Sequence, residues 1–354
     1  MERRIPETPD TGESATFAPI SATSELFNER DLDLVNAIQI NPRAPWTRIG
    51  PSIGVDATTA ARRWHHLTQS GLAWTTAYAP EDATIGYAQL RCRPSSVATI
   101  SELVCQCPSI FSAERVSGRY QFQLSIGARD QSALDDFATQ WLGSLPGAVE
   151  LRMAVGLHLY AEGSRWQPQA LDHAQRALLT DDTTRVHPSP GPRRATDDNL
   201  VNALAMDARR TAADLAMDTG LSETAVRRRI TELTRSGRLR LRCDFAQSAA
   251  GWPVSVSFRA QLPAARVAAL GAALMEHPEI RLCTAISDTE NNILLIEWLS
   301  ALQDCVPAEA RLTQNFPELR INERNVTLRP LKRMGRLLSR TGAAVGYVPP
   351  SAWA

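Results

Sequence analysis

The feature that most constrains the fold is a segment that occurs twice. Residues 54–71 and 220–237 align without a gap at an offset of 166 residues, and each begins and ends with glycine. The preceding residues 34–37 match residues 200–203 at the same offset. A register this long predicts that the chain is a tandem duplication of one unit.

Each copy of the segment predicts a capped amphipathic helix. In the second copy Ser222 follows a glycine turn and is expected to cap a helix over 223–235, and Asp56 has the same place in the first copy. At 100° per residue the apolar side chains share one face and the polar side chains the other. The apolar positions are Ala60, Trp64, Leu67, Val226, Ile230 and Leu233. The two helices are therefore expected to present polar faces to solvent.

Charge is distributed unevenly along the chain. The 354 residues exceed the usual limit of one core, and their formal net charge is zero. Residues 227–242 nevertheless hold seven arginines and one acid, Glu232, while Lys332 is the only lysine. The six cysteines lack the spacing of a zinc site, which predicts free thiols, no metal and no cofactor. No apolar run approaches membrane-spanning length, so we expect a cytoplasmic protein without membrane contact.

Hydrophobic periodicity predicts an α+β fold. Each half has a helix-turn-helix module with a short strand or wing, followed by the order strand, helix, strand, strand, helix, strand. That order is typical of the ferredoxin-like βαββαβ domain. The expected boundaries are a disordered arm (1–24), helix-turn-helix domain 1 (25–79), ferredoxin-like domain 1 (80–164), a short helix and Pro-rich linker (165–196), helix-turn-helix domain 2 (197–245), ferredoxin-like domain 2 (246–331), and a C-terminal helix and tail (332–354).

Each half resembles the Lrp/AsnC (feast/famine) family of transcription regulators. The resemblance is carried by residues 34–37, Gly54-Val55 and Arg62-Arg63 in the first half, and by Gly220-Leu221-Ser222 and residues 226–230 in the second. It implies a DNA-binding regulator that oligomerises through its ferredoxin-like sensing domains and is controlled by an amino acid or other small effector. Gly118 and Tyr120 match the family's sensing motif, and the resemblance implies that they bind the effector.

The predicted partner is double-stranded DNA. A helix in the major groove reads bases through its amino-terminal half, where arginine can bind guanine with two hydrogen bonds. The expected DNA-contacting residues are Thr58, Arg62, Arg63, Thr224, Arg227, Arg228, Thr231, Arg235 and Arg240. Because the second module has more arginines, we expect it to supply more of the salt-dependent affinity.

Two alternatives to the regulator remain open. Siroheme decarboxylases resemble this family and occur as fused pairs, but they are expected to carry histidine in the hairpin before the third sensing-domain strand. That hairpin has no histidine at 115–119 or at 287–290. The other alternative is an effector-binding partner protein without DNA binding. Since no catalytic set of residues stands out, the sequence predicts that the protein is not an enzyme.

Overall fold

The computed structural model describes residues 27–80, 83–163, 167, 168, 170–180, 195–275, 277 and 279–351. The predicted disordered arm and the Pro-rich part of the linker lie outside these residues. None of the helices in the described ranges combines the length and the apolar character needed to cross a membrane.

Both halves have the same order of elements. The first half consists of α1 Glu29–Ile40, α2 Trp46–Ser52, α3 Ala57–Gln69, β1 Ala73–Tyr78, β2 Thr84–Cys92, α4 Val97–Gln106, β3 Ile110–Val116, β4 Phe122–Ala128, α5 Gln131–Asp136 and β5 Ala148–Ala161. The short helix α6, His173–Leu179, follows. The second half consists of α7 Ala195–Met206, α8 Ala212–Thr219, α9 Glu223–Arg235, β6 Arg240–Phe245, β7 Val254–Gln261, α10 Ala264–Leu274, β8 Ile280–Ser287, β9 Ile293–Leu299, α11 Cys305–Asn315 and β10 Arg320–Arg333. This order confirms the predicted α+β class.

Local sequence determines where the two principal helices begin. Asp56 accepts a hydrogen bond from the Thr59 amide at 2.9 Å, and Ser222 accepts one from the Ala225 amide at 3.3 Å. Both caps satisfy amides that a first helical turn leaves unpaired. The six predicted apolar positions of α3 and α9 are all buried, so the predicted inward faces are confirmed.

The two ferredoxin-like halves form a closed barrel. The strand order is β10-β3-β4-β2-β5-β8-β9-β7, and β10 also pairs with β7, so eight strands close on themselves. The long strands β5 and β10 make this possible, because each pairs with its own half at its amino-terminal end and with the other half further along. The helices α4, α5, α10 and α11 lie outside the barrel, where β2 to β4 and β7 to β9 pack against them.

A two-stranded ribbon joins the helix-turn-helix modules. Strand β1 pairs antiparallel with β6, and Thr76 lies opposite Arg242. Two equivalent arginines then cross from one module to the other. Arg43 donates to the carbonyl of Ala208 at 2.6 Å, and Arg209 donates to the carbonyl of Pro42 at 2.7 Å. The modules are thus held by matching contacts around an approximate two-fold axis.

The prediction of a C-terminal helix is wrong. Beyond β10 the chain forms two short strands, β11 Arg336–Leu338 and β12 Ala344–Tyr347. Met334 and Gly335 have φ angles of 47° and 81°, which turn the chain back on β10 as a hairpin. The spacing of the apolar residues in this stretch fits either a helix or a strand. The left-handed backbone at Met334 and Gly335 produces a hairpin, so the chain continues as a strand.

Candidate nucleic-acid interface and barrel interior

The outward face of α9 carries the predicted DNA-contacting residues of the second module. The Arg227 and Arg228 side chains are 64% and 70% exposed. Thr224 and Arg235 are also exposed, while Thr231 is half-buried and donates to the Arg227 carbonyl at 3.0 Å. All five side chains lie opposite the buried face that anchors α9 to its module.

Acidic neighbours partly neutralise this face. Arg227 pairs with Glu223 at 2.7 Å, and the Arg228 Nε lies 3.7 Å from a Glu232 oxygen. Each pair lies within α9 at i, i+4 spacing and is exposed to solvent. Such pairs contribute ~0–1 kcal/mol to stability. Phosphate groups can therefore replace these acids at small cost.

The outward face of α3 is less basic. Thr58 and Arg62 are exposed there, next to His65 and Gln69. Arg62 supplies the guanidinium of this face, whereas α9 supplies three. The expectation that the second module dominates salt-dependent affinity stays a prediction, and this difference in charge is consistent with it.

Arg63 does not face outward as a DNA contact should. Its Nη1 lies 2.8 Å from the Asp31 carboxylate of α1. The equivalent Arg229 is 8% exposed and grips Asp197 of α7 through bonds of 2.7 and 2.6 Å. Because both arginines tie a recognition helix to the first helix of its own module, the assignment of Arg63 to DNA contact is corrected to a structural role.

Arg240 also points away from the expected DNA surface. It forms an ion pair with Glu162, which accepts a second hydrogen bond from the Tyr78 hydroxyl. Arg242, two residues further along β6, is buried beside Asp244 at 2.6 Å. Strand β6 also pairs along its whole length with β1, so the predicted wing is part of the ribbon. A DNA contact by Arg240 stays a prediction, and its ion pair with the buried Glu162 argues against it.

Gly118 and Tyr120 lie in a cleft at the opposite end of the barrel from the ribbon. Tyr120 donates to Glu150 at 2.8 Å, and this bond with those from Arg119 and Arg91 lowers the pKa of Glu150 to about 2. Gly118 has a φ of 93°, and a Cβ there would meet the Asn325 side-chain oxygen at 2.5 Å. These contacts show local packing, and the effector role of both residues stays a prediction.

Sequence reasoning missed a cavity of about 150 Å³ inside the barrel, next to the ribbon. Three buried guanidinium groups line it, those of Arg242, Arg281 and Arg333. Arg281 lies in the otherwise mostly apolar strand β8, which runs from Ile280 to Ser287. A charged residue in such a strand is the signal that could have indicated a polar barrel interior.

The fold and these surfaces define a protein with paired helix-turn-helix modules mounted on a closed pair of ferredoxin-like domains. The AsnC-type helix-turn-helix domain matches residues 195–234, and the Lrp/AsnC ligand binding domain matches residues 86–165. The chain therefore contains an AsnC-type helix-turn-helix domain and an Lrp/AsnC ligand binding domain, as the resemblance predicted. Each family domain matches one half only, so the duplication stays a prediction. No curated protein was found to match the sequence.

Solved structures match the chain to different extents. The siroheme decarboxylase NirDL has a TM-score of 0.57 at 10% identity, covering 86% of this chain and 93% of that chain. Its co-complex with an iron-uroporphyrin III analogue gives 0.58 with the same identity and coverage. The leucine response regulatory protein LrpA of Mycobacterium tuberculosis is 20% identical and has a TM-score of 0.33, covering 38% of this chain and 92% of that chain.

The match to NirDL overturns one expectation from the sequence. The prediction that the protein is not an enzyme is contradicted, because the structures that match along most of the chain belong to an enzyme. At 10% identity the likeness shows the shared fold.

Proposed function

We propose that the protein is a sequence-specific DNA-binding transcription regulator that uses α9 and α3 as recognition helices. The observation that carries the proposal is the exposure of both helices' polar faces. Arg62 and Arg228 point to solvent, and the described residues leave the faces around them uncovered. The match to an AsnC-type helix-turn-helix domain over α7 to α9 supports the same reading.

The pairing of the modules bears on the operator. Because β1 and β6 join the two modules in one ribbon, their recognition helices are presented together by one chain. The two outward faces differ in sequence, so the two half-sites that they read can differ as well. A non-palindromic operator is therefore expected, and footprinting tests it. Protection of a single half-site would contradict this arrangement.

The DNA-binding proposal can be tested on the full chain. Fragments of the source genome that the protein retains provide the operator, and fluorescence anisotropy in a series of salt concentrations gives affinity and salt slope. Arg227→Ala with Arg228→Ala is expected to weaken binding and to reduce the salt slope by up to about two, since each lost phosphate contact removes roughly 0.9. The control is Arg129→Ala, whose side chain is 85% exposed on the barrel. Equal loss in the control would refute the role of α9.

Effector control is the second part of the proposal. The Lrp/AsnC ligand binding domain matches residues 86–165, which include Gly118 and Tyr120. The cleft that holds them is lined by both halves, with Glu290 and Asn322 on the far side. We propose that an amino acid or other small molecule binds to the paired ferredoxin-like domains. A melting screen with amino acids tests this.

Decarboxylation of a tetrapyrrole is a second candidate function. It is favoured by the match to a siroheme decarboxylase over 86% of the chain. Against it, the hairpins at 115–119 and 287–290 carry no histidine. Addition of siroheme, followed by the Soret absorbance and by mass spectrometry of the pigment, discriminates the two functions. A shifted Soret band and loss of carboxyl groups, without binding to genomic fragments, would favour the enzyme.

A further inference from the structure

The cavity inside the barrel lies directly beneath the ribbon that joins the helix-turn-helix modules. Tyr78 of β1 and Arg242 of β6 form its roof, while strands of both ferredoxin-like halves form its walls. Its volume of about 150 Å³ is that of a cavity that can hold benzene. We call this space the barrel chamber.

One side of the barrel chamber is apolar. Its walls include Ile85, Phe111, Leu282 and Ile296. Leu159 is 40% exposed and lies where the chamber approaches solvent. This side suits a small apolar body such as a branched alkyl chain or a phenyl ring.

The other side of the barrel chamber is rich in guanidinium groups. Arg281 and Arg333 lie over Trp298, with their central carbons 4.3 and 4.9 Å from its ring centroid. Arg242 and Arg281 both pair with Asp244, which has no exposed surface. Three buried cations thus surround one carboxylate.

The wider charge balance also favours an anion. Among the described residues, the other charged side chains are Glu114 and Glu162, which line the chamber, and Arg240, which pairs with Glu162. Within this described set four arginines face three acids, so positive charge is in excess when every group is ionised. Burial raises the pKa of Glu114, and a protonated Glu114 would increase that excess. A buried positive charge is costly unless an anion is near it.

We propose that the barrel chamber binds a small monocarboxylic acid, with its apolar body against Ile85 and Leu282 and its carboxylate against Arg242 and Arg281. The site is distinct from the cleft at Gly118 and Tyr120, which lies at the other end of the barrel. A ligand here contacts the ribbon directly, and by binding one arrangement of the ribbon more tightly than another it would shift the relation between the two recognition helices. This regulatory step rests on the proposed DNA-binding function, whereas ligand binding itself does not.

Binding is tested by isothermal titration of the full chain with 4-methylpentanoate and benzoate. Their uncharged amides and leucine are the matched ligands, since leucine has the same alkyl body but no net charge. Both acids are expected to bind, and the amides and leucine at least roughly tenfold more weakly, because a hydrogen bond to a charged group contributes ~1.5–3 kcal/mol. Equal binding of leucine or of the amides would overturn the assignment of a monoanion. Failure of both acids to bind would overturn the site.

Two variants place the ligand. Ser125 lines the barrel chamber and carries no charge. Ser125→Leu therefore fills the space without changing the charge of the site, and it is expected to abolish binding. Arg281→Met removes a guanidinium and is expected to weaken binding roughly tenfold or more. Arg266→Met is the control, because that side chain is 48% exposed on α10, outside the barrel. Unchanged binding by a folded Ser125→Leu protein would place the ligand elsewhere.

Two further measurements separate the possible failures. Saturating acid is expected to change the Kd for a retained DNA fragment by about fivefold or more, within the usual range of allosteric coupling, and Ser125→Leu should lose the effect. Acid binding without any change in the DNA Kd would overturn the regulatory step. Acid binding by a protein that retains no DNA would leave the site intact and refute the proposed function. Iron-uroporphyrin also carries carboxylates, and its displacement of the acid from the wild-type chain would overturn the size assigned to the ligand.

Discussion

The ion pair between Arg229 and Asp197 offers the sharpest test of how the recognition helices are held. The guanidinium and carboxylate meet through two bonds of 2.7 and 2.6 Å, and their side chains are 10% and 4% exposed. The first module has the equivalent pair, Arg63 with Asp31, but there the side chains are 28% and 11% exposed and one bond of 2.8 Å joins them. The same change at both positions therefore compares a pair with a buried arginine to a pair with a half-buried arginine.

Arg229→Met should destabilise the protein by about 3 kcal/mol. The substitution leaves the Asp197 carboxylate buried without its bidentate partner, and removal of one member of a buried pair costs ~3–5 kcal/mol. Arg63→Met should cost about 1 kcal/mol, because the Arg63 side chain is 28% exposed and the Asp31 carboxylate keeps the hydrogen bond from the Asn28 amide at 3.1 Å. Adding Asp197→Leu to Arg229→Met should recover much of the loss, since the double variant no longer buries a carboxylate that has lost its guanidinium.

The assay is urea unfolding of the full-length variants, followed by circular dichroism and compared at equal m-values. Binding of the retained DNA fragment is measured on the same samples at a temperature where all are folded. Equal costs for Arg229→Met and Arg63→Met would refute the argument from burial. Unchanged stability together with a tenfold loss of DNA affinity would show that Arg229 contacts DNA instead.

Two other predictions follow from buried polar groups. Burial raises the pKa of Glu297 to about 7 from 4.5, with the nearby Glu279 acting in the same direction. The folded chain thus holds this proton more tightly than the unfolded chain, and stability should fall by up to ~3 kcal/mol as the pH rises from 4.5 to 7. Glu297→Gln should flatten this dependence in urea unfolding at several pH values, and an unchanged pH profile would refute it. Arg209→Ala should lower the free energy of unfolding by about 2 kcal/mol. The change removes hydrogen bonds to two carbonyls of the other module and the contact with the Trp46 ring at 4.0 Å. A loss of stability below about 0.5 kcal/mol would show that other contacts hold the modules together.

Elements with a local determinant could be predicted from the sequence. A glycine turn and a capping side chain precede both α3 and α9, and each helix has a 3.6-residue apolar period. The sequence therefore predicts both helices and their buried faces. The βαββαβ order is also predicted from local sequence, because segments with the two-residue hydrophobic period of a strand follow segments with the 3.6-residue period of a helix. Even the interior position of Trp64 follows from its match to Ile230, and it is 6% exposed.

The features that the sequence did not predict depend on contacts between distant parts of the chain. Arg240 lies in an arginine-rich stretch that local reasoning assigned to phosphate contact. Its actual position is set by β1, whose Tyr78 pairs with it across more than 160 residues of sequence. The barrel chamber was missed for the same reason, since its roof and walls come from both halves. Periodicity predicts which face of a strand is buried, but it does not predict which strands close a barrel.

The presence of both halves in one chain allows the charged groups at the ribbon to lie on one side of the barrel chamber. Thr76 and Arg242 are 166 residues apart, which is the offset of the predicted duplication, and they lie opposite each other in the ribbon. In a symmetric homodimer this position would face its own copy, so an arginine would face an arginine in a buried setting. Two guanidinium groups that face each other across paired strands in a buried setting repel strongly. In this chain Thr76 instead donates to the Ala205 carbonyl at 2.7 Å, and Arg242 pairs with Asp244. A single chain can therefore place one charged cluster on the axis, which two identical subunits could not do without doubling it.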